Sequence, residues 1–284
     1  MKNTKDYKVL SGFILKILAL IFMTLDHIGY YLGTLKNTQE IASIFRIFGR
    51  LALPLFIFLL VEGVIHTKHI GKYFIRLGAL ALVFLIGQLF LAYIIRTPSN
   101  DFYSPAVDLL LTALLVYLLK RKDKFSFLAI LPFAWACISL VVRNYETING
   151  KFINWFPIYF RPDYGIYAPL LGIGFYFAHD LTKLFLNSNE GTKNFLGSTF
   201  EQTTYNVVSS IFLIIVTMLI CFLDRNAMHL IYSMPWQVYA LFAFIPILFY
   251  SGKRGYNAKW FQYGCYVYFP MHLVIIFLVF ELLL

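Results

Sequence analysis

Residues 43–65 read SIFRIFGRLALPLFIFLLVEGVI. At about 1.5 Å of rise per residue, a helix of this length crosses a hydrocarbon core of about 30 Å. It is oily throughout except for Arg46 and Arg50 near one end and Glu62 near the other. An ionisable side chain inside a membrane span costs several kcal/mol and marks a candidate functional position. This one stretch therefore reads as a spanning helix with a polar site built into it.

Working outward, similar apolar stretches recur along the 284 residues at 13–33, 74–95, 106–120, 126–142, 164–186, 205–223, 235–250 and 260–283. With 43–65 they predict an all-α fold, a polytopic membrane helical bundle of about nine transmembrane helices. The composition agrees. Sixty per cent of the residues are hydrophobic and 13% charged, with mean hydropathy +0.72. A soluble domain averages about 45–50% apolar and about 25% charged. A globule of this size needs a polar shell that this chain does not possess, so lipid is its solvent. Thirty Phe and 20 Tyr suit helix interfaces and interfacial belts.

The net charge is +10. The basic residues sit in alternate short connections: Lys2, Lys5 and Lys8; Lys68, Lys72 and Arg76; Lys120, Arg121, Lys122 and Lys124; Lys183 and Lys193; Lys253, Arg254 and Lys259. The intervening loops are mixed in sign, as with Arg96 and Asp101, or Asp224 and Arg225. This is the positive-inside pattern, with the N-terminus cytoplasmic, and it explains the charge without a nucleic-acid partner. The first apolar stretch is too long for a signal h-region and lacks a small-x-small cleavage site, so it reads as a retained helix. The domain reading is one membrane domain over 1–284: helices 1–6 within 13–186, a polar cytoplasmic linker at 187–204, and helices 7–9 within 205–283. Cys137, Cys221 and Cys265 lie in apolar surroundings without ligand spacing and read as small buried hydrophobes, with no metal site.

The candidate site follows from depth. Asp26 and His27 lie about two-thirds of the way along the first span. Arg46 and Arg50, four apart, share one face near the matching end of the second. Adjacent positions on a helix diverge by about 100°, so Asp26 is expected to pair with an arginine and leave His27 facing a cavity. His272 lies near mid-depth in the last span, beside Pro270, whose ring frees a backbone carbonyl. Asp108, Arg161, Asp163, Tyr167, Gln237 and Tyr239 fall near the outer ends and suggest a polar substrate vestibule. At the inner ends, Glu62, His66, Lys68, His69, Lys72 and Arg76, with Lys253 and Arg254 in YSGKRGYN, offer either positive-inside anchors or a seat for a phosphate-bearing cytosolic donor.

Six blocks carry a family resemblance: LKILALIFMTLDHIG, FRIFGRLALPLFIFLLVEGVIHT, VDLLLTALLVYLL, DYGIYAPLL, QVYALFAFIPILFYSGKRG and YFPMH. In this order, over most of the chain, they resemble the TraX family. Asp108 departs from that pattern, where Asn is common. The resemblance implies a bacterial cell-membrane acyltransferase that uses cytosolic acetyl-CoA. The family takes its name from a protein associated with N-terminal acetylation of conjugative pilin. The acceptor would be a peptide N-terminus or an envelope glycan or polymer, and a homo-oligomer is compatible with this reading. Laid on the residues, His27 and His272 become the base and acyl-positioning groups, with Arg46 or Arg50 stabilising the oxyanion and Asp26 as their counter-ion. His66, Lys68, Lys253 and Arg254 become the donor seat. An alternative is a transporter or flippase for an anionic solute using the same arginines.

The topology has a direct test. Reporter fusions near residues 70, 122, 190 and 255 are expected to report the cytoplasm, and one at 152 the outside. A cytoplasmic report at 152 would break the pairing of the outer-end residues.

Overall fold

Residues 9–90, 104–188, 190–223 and 237–283 are described by a computed structural model. Within them the chain is helical, with two isolated bridges, Leu10 to Tyr250 and Ser104 to Pro162. The helices are α1 (Gly12–Leu32), α2 (Gln39–Gly49), α3 (Ala52–His66), α4 (Ile70–Phe90), α5 (Pro105–Arg121), α6 (Ile130–Asn149), α7 (Tyr167–Ser188), α8 (Glu190–Leu223), α9 (Phe244–Leu248) and α10 (Lys259–Leu283). The loop residues Lys2, Lys5, Lys8, Arg96, Asp101, Asp224 and Arg225 lie outside the described residues.

Among the described residues, six helical segments are long and apolar enough to cross a membrane: Gly12–Leu32, Gln39–His66, Ile70–Phe90, Ser126–Asn149, Phe200–Leu223 and Lys259–Phe280. The chain is a multi-pass membrane protein. The other three expected spans are helical but fall short. α5 has 17 residues. Gln237–Leu248 is a short apolar segment. α7 has the length, yet His179, Asp180 and Lys183 dilute its apolar character. The polar stretch 187–204 is helical from Glu190 and runs into α8, whose 34 residues exceed what a bilayer core requires. Its apolar part, Phe200–Leu223, is the crossing segment.

Two compact units share the chain: Met1–Leu59, Gly174–Met218 and Pro235–Leu284 form one, and Leu60–Ile173 with Leu219–Met234 forms the other. Each draws on both sides of residues 187–204.

In the first unit, α1 and α2 form a tight hairpin. Their backbones approach because the contact positions are small. A Cβ added at Gly29 would lie 2.9 Å from the Ala42 carbonyl oxygen, and one at Gly49 would lie 2.6 Å from the Asp26 Cα. Pro54 explains the pause between α2 and α3. Its ring has no N–H to give the Arg50 carbonyl and crowds it, so the helix tightens at Arg50 and Leu51. Phe58 is the aromatic hub of this unit, packing on Phe175, Tyr205 and Tyr250 with centroids 5.3, 5.6 and 5.4 Å away.

α10 runs parallel to α1. Phe13 meets Phe261, Thr24 meets Tyr268, His27 meets His272 and Tyr31 meets Phe280, in matching order. The turn before α10 clasps the start of α1. Gly12 and Phe13 donate backbone N–H groups to the carbonyls of Lys253 (2.8 Å) and Arg254 (2.9 Å). These are donors that a helix N-terminus otherwise leaves unmet. The turn needs left-handed backbone at Gly252 (φ 71°) and Gly255 (φ 70°). The Asn206 amide holds it from α8 by donating to the carbonyls of Leu248 and Tyr250.

In the second unit, buried polar pairs fix the loop before α7. Asp108 accepts from the backbone N–H groups of Asp163 and Tyr164. Arg161 pairs with Glu146 at 2.5 Å, and Trp135 donates to the Phe160 carbonyl. Lys120 donates to the carbonyls of Val64 and Ile65, where α3 ends. A cation there complements the negative end of the helix dipole.

Gly49→Val is expected to separate α1 from α2 and lower the thermal midpoint of the detergent-extracted protein, since overpacking costs about 1–3 kcal/mol. Gly78→Ala, where nothing lies within 4 Å of an added Cβ, is expected to be neutral or slightly stabilising. Equal midpoints for the two variants would refute the close approach.

Candidate active site

The hairpin exists around one carboxylate. Asp26 Oδ2 accepts from Arg46 Nη1 at 2.9 Å and from Arg50 Nη2, while Oδ1 accepts from Arg50 Nε at 3.1 Å. Arg50 therefore forks onto both oxygens, a geometry that guanidinium provides and ammonium does not. The Arg50 side chain is 1% exposed and Asp26 10%, whereas Arg46 keeps 19%. Arg46 also lies over the Tyr30 ring, 5.7 Å from its centroid. One carboxylate and two guanidiniums leave a net positive charge in an apolar setting.

One residue along, His27 is turned away from this cluster and meets His272. Its Nδ1 lies 2.9 Å from the Met23 carbonyl and 3.1 Å from His272 Nε2. His272 Nδ1 in turn lies 3.0 Å from the Tyr268 carbonyl. A carbonyl can only accept, so each Nδ1 carries the hydrogen in the neutral pair. His272 Nε2 is then the acceptor facing His27 Nδ1–H. The remaining nitrogen, His27 Nε2, bears a lone pair. His272 is 3% exposed and His27 half-buried. The rings meet edge to face, with centroids 4.9 Å apart. Asp26, Arg46 and Arg50 all lie within electrostatic range of His27.

Two neighbours were not singled out from the sequence. The Tyr268 ring stacks on His272, 5.4 Å between centroids at 11°. Its hydroxyl lies 2.6 Å from Thr24 Oγ1, and Thr24 gives its own hydrogen to the Leu20 carbonyl, so Tyr268 is the donor of the pair. The signal was available, since Thr24 precedes His27 by three positions and Tyr268 precedes His272 by four. Both spacings put the pairs on shared helix faces.

The basic turn of the first unit carries Lys253 and Arg254 with exposed side chains, at the start of α1. His66 and Lys68 belong to the second unit. His66 is exposed, with its Nδ1 3.0 Å from the Glu62 carbonyl, and Lys68 is exposed.

The outer-end residues differ from the expected vestibule. Asp108 and Tyr167 are 0% exposed. Neither lines an opening, and Asp108 serves instead as an acceptor for backbone N–H groups. The physical reason is that the loop before α7 folds back over the start of α5 and needs its amides satisfied there. Asp163 and Tyr239 are half-buried, and the Tyr239 ring stacks on Phe242. Gln237, in the first unit, is 2% exposed, and neither end of its carboxamide has a partner among the described residues. The cysteines form no disulfide and are half-exposed, not buried as their apolar surroundings suggested. Among the other histidines, His229 lies outside the described residues.

The profile of the family described as TraX protein matches residues 11–185. A protein named "Probable fimbrial assembly protein FimC, serogroup H1", from Dichelobacter nodosus, is 38% identical over 91 residues, 32% of this chain and 35% of that protein. An uncharacterized protein of Rickettsia prowazekii (strain Madrid E) is 32% identical over 119 residues, 36% of this chain and 44% of its own length. The matches therefore span less than half the length of these curated relatives. No solved structure matches.

Asp26→Asn would strand two guanidiniums in a buried setting, and breaking such a pair costs about 3–5 kcal/mol. In a double-substitution cycle, Asp26→Asn and Arg50→Gln are expected to couple by about 1–3 kcal/mol in thermal or denaturant unfolding. Simple additivity would show that the contact carries no energy.

Proposed function

The chain belongs to the TraX family, and on that premise we propose that it is an integral membrane acyltransferase. It moves an acetyl group from cytosolic acetyl-CoA to an amine or hydroxyl of an envelope or exported acceptor. The observation that carries this reading is the pair of imidazoles in contact between α1 and α10, one residue along α1 from the carboxylate of a buried cationic cluster.

The chemistry follows from the hydrogen-bond directions. His27 Nε2 removes the proton from the acceptor nitrogen or oxygen as that atom attacks the thioester carbonyl. The new N–C or O–C bond forms, the C–S bond breaks, and the imidazolium returns its proton to the departing thiolate. While His27 is charged, its Nδ1–H donates to His272 Nε2, which steadies the charge and holds the ring. His272 is itself oriented by the Tyr268 carbonyl and by stacking on Tyr268. Arg46, the more exposed guanidinium, is the donor for the oxyanion that develops on the carbonyl, and Arg50 fixes the carboxylate beneath it. Lys253 and Arg254 hold the phosphates of the nucleotide end of CoA. Gln237 offers a buried donor and acceptor for the acceptor substrate.

Nine crossings with a cytoplasmic N-terminus in a bacterial cell membrane complete the proposal. Parallel α1 and α10 support an odd number of crossings. The six apolar segments satisfy that once α5, α7 and the segment 237–248 cross as well. The relative named for fimbrial assembly directs the search for an acceptor toward exported pilus subunits.

The test is transfer of labelled acetyl from acetyl-CoA by the purified protein, in nanodiscs, to pilus subunits and envelope fractions. His27→Gln is expected to lower the rate by about 10²–10⁴-fold, the usual worth of a general base, with monodispersity unchanged. His272→Gln is expected to lower it less. The joint change of Lys253 and Arg254 to Gln is expected to raise KM for acetyl-CoA more than it lowers kcat. Normal turnover in both histidine variants would remove the mechanism.

A further inference from the structure

A groove of about 390 Å³ runs between α1 and α10 on the far side of His272. Its walls are Ile28, Ile275, Ile276 and Val279. One end is polar, with the His272 imidazole and the Tyr268–Thr24 hydroxyl pair. The other end is closed by Phe280, whose ring stacks on Tyr31 at 5.1 Å between centroids. Ile275 is 53% exposed and Val279 44%, so the long side opens toward lipid.

Direction decides what fits. The basic turn sits at the start of α1, against Gly12 and Phe13. The imidazoles are about 20 Å further along, and the groove continues onward from them, away from the basic turn. A thioester whose nucleotide rests on Lys253 and Arg254 therefore presents its carbonyl to the histidines. Any acyl carbons beyond that carbonyl are carried into the groove. A helical peptide does not suit the space. An α-helix is about 10–12 Å across with its side chains and would use up this volume in about one turn. A single alkyl chain does suit it. His272 to Phe280 spans about 12 Å of helix. An extended chain advances about 1.2 Å per bond, by the residue repeat of an extended backbone.

We infer that the groove is an acyl-chain subsite, and that the protein accepts acyl-CoA donors of medium length, up to about ten carbons by the repeat just used. This rests on the acyltransferase reading and extends it from acetyl to longer acyl groups. The bond changes are those already given: the acceptor bonds to the carbonyl carbon, sulfur leaves, and the proton passes through His27. The chain stays in the groove throughout and adds binding energy next to the reacting carbon.

The experiment measures release of free CoA thiol by the full chain in nanodiscs, with hydroxylamine as the acceptor nucleophile. Acetyl-, octanoyl- and tetradecanoyl-CoA are compared. Burial of each methylene is worth at most about three- to fourfold, so kcat/KM for octanoyl-CoA is expected to exceed that for acetyl-CoA by tenfold or more. Tetradecanoyl-CoA is expected to fall back because Phe280 closes the groove. Val279→Trp is expected to reduce the octanoyl-to-acetyl ratio at least tenfold. Phe280→Ala, which adds no volume and so does not strain the packing, is expected to raise tetradecanoyl turnover. If wild type uses acetyl- and octanoyl-CoA equally, or if Val279→Trp lowers both alike, the groove holds only a bilayer lipid and the inference is overturned. If no acyl-CoA is turned over, the acyltransferase reading fails instead.

Discussion

The Asp26 carboxylate between Arg46 and Arg50 is the constraint on which the first unit depends. In an apolar setting neither sign of charge is tolerable alone, and a stranded partner costs about 3–5 kcal/mol. The cluster therefore dictates how closely α1 and α2 must pack. That closeness in turn requires glycine at 29 and 49. The hairpin sets the azimuth of α1. Because neighbours on a helix point about 100° apart, fixing Asp26 toward α2 fixes His27 toward α10. The position of the imidazole pair is thus a geometric consequence of an ion pair about a quarter-turn away around the same helix.

The second unit solves a related problem differently. Its buried charges, Asp108, Arg143, Glu146 and Arg161, are spent on backbone amides, carbonyls and one another. They make a shaped loop, not a reactive cavity. The two units show that burial of a charged residue in a membrane protein does not by itself mark chemistry. What distinguishes the first unit is a contact between two imidazoles within its helices, with one nitrogen lone pair left over after the hydrogen bonds have been assigned.

Much of this was legible in the sequence. Membrane class followed from composition, and the Asp26–arginine pairing followed from depth and spacing. The contact between His27 and His272 did not, because it joins residues 245 positions apart. Depth along each span was estimated separately, and no local pattern reports which helices are neighbours. Helix count was legible only in part. α5, α7 and the segment 237–248 carry breaks or polar residues that blur length and hydropathy together. Asp108 was misread for a definite reason. A carboxylate at a helix start looks the same in sequence whether it faces water or binds the backbone amides of a distant loop. The cysteines were misread because apolar neighbours on a lipid-exposed face resemble apolar neighbours in a core.

The clasp of the Lys253–Arg254 turn over the start of α1 has a consequence for biogenesis. The first helix enters the membrane early in synthesis, but the carbonyls that satisfy Gly12 and Phe13 arrive only after some 240 further residues have been made. Until then α1 carries Asp26 and His27 into the bilayer without its final neighbour. Closing so long a loop is entropically slow compared with local hairpin formation. The α1–α2 hairpin, held by its ion pair, is the intermediate that can wait. Docking of α10 latches both ends of α1 and brings His272 to His27 in the same event. Assembly of the imidazole pair is thereby tied to synthesis of the last described helix, and a nascent chain that has not reached it holds His27 without His272.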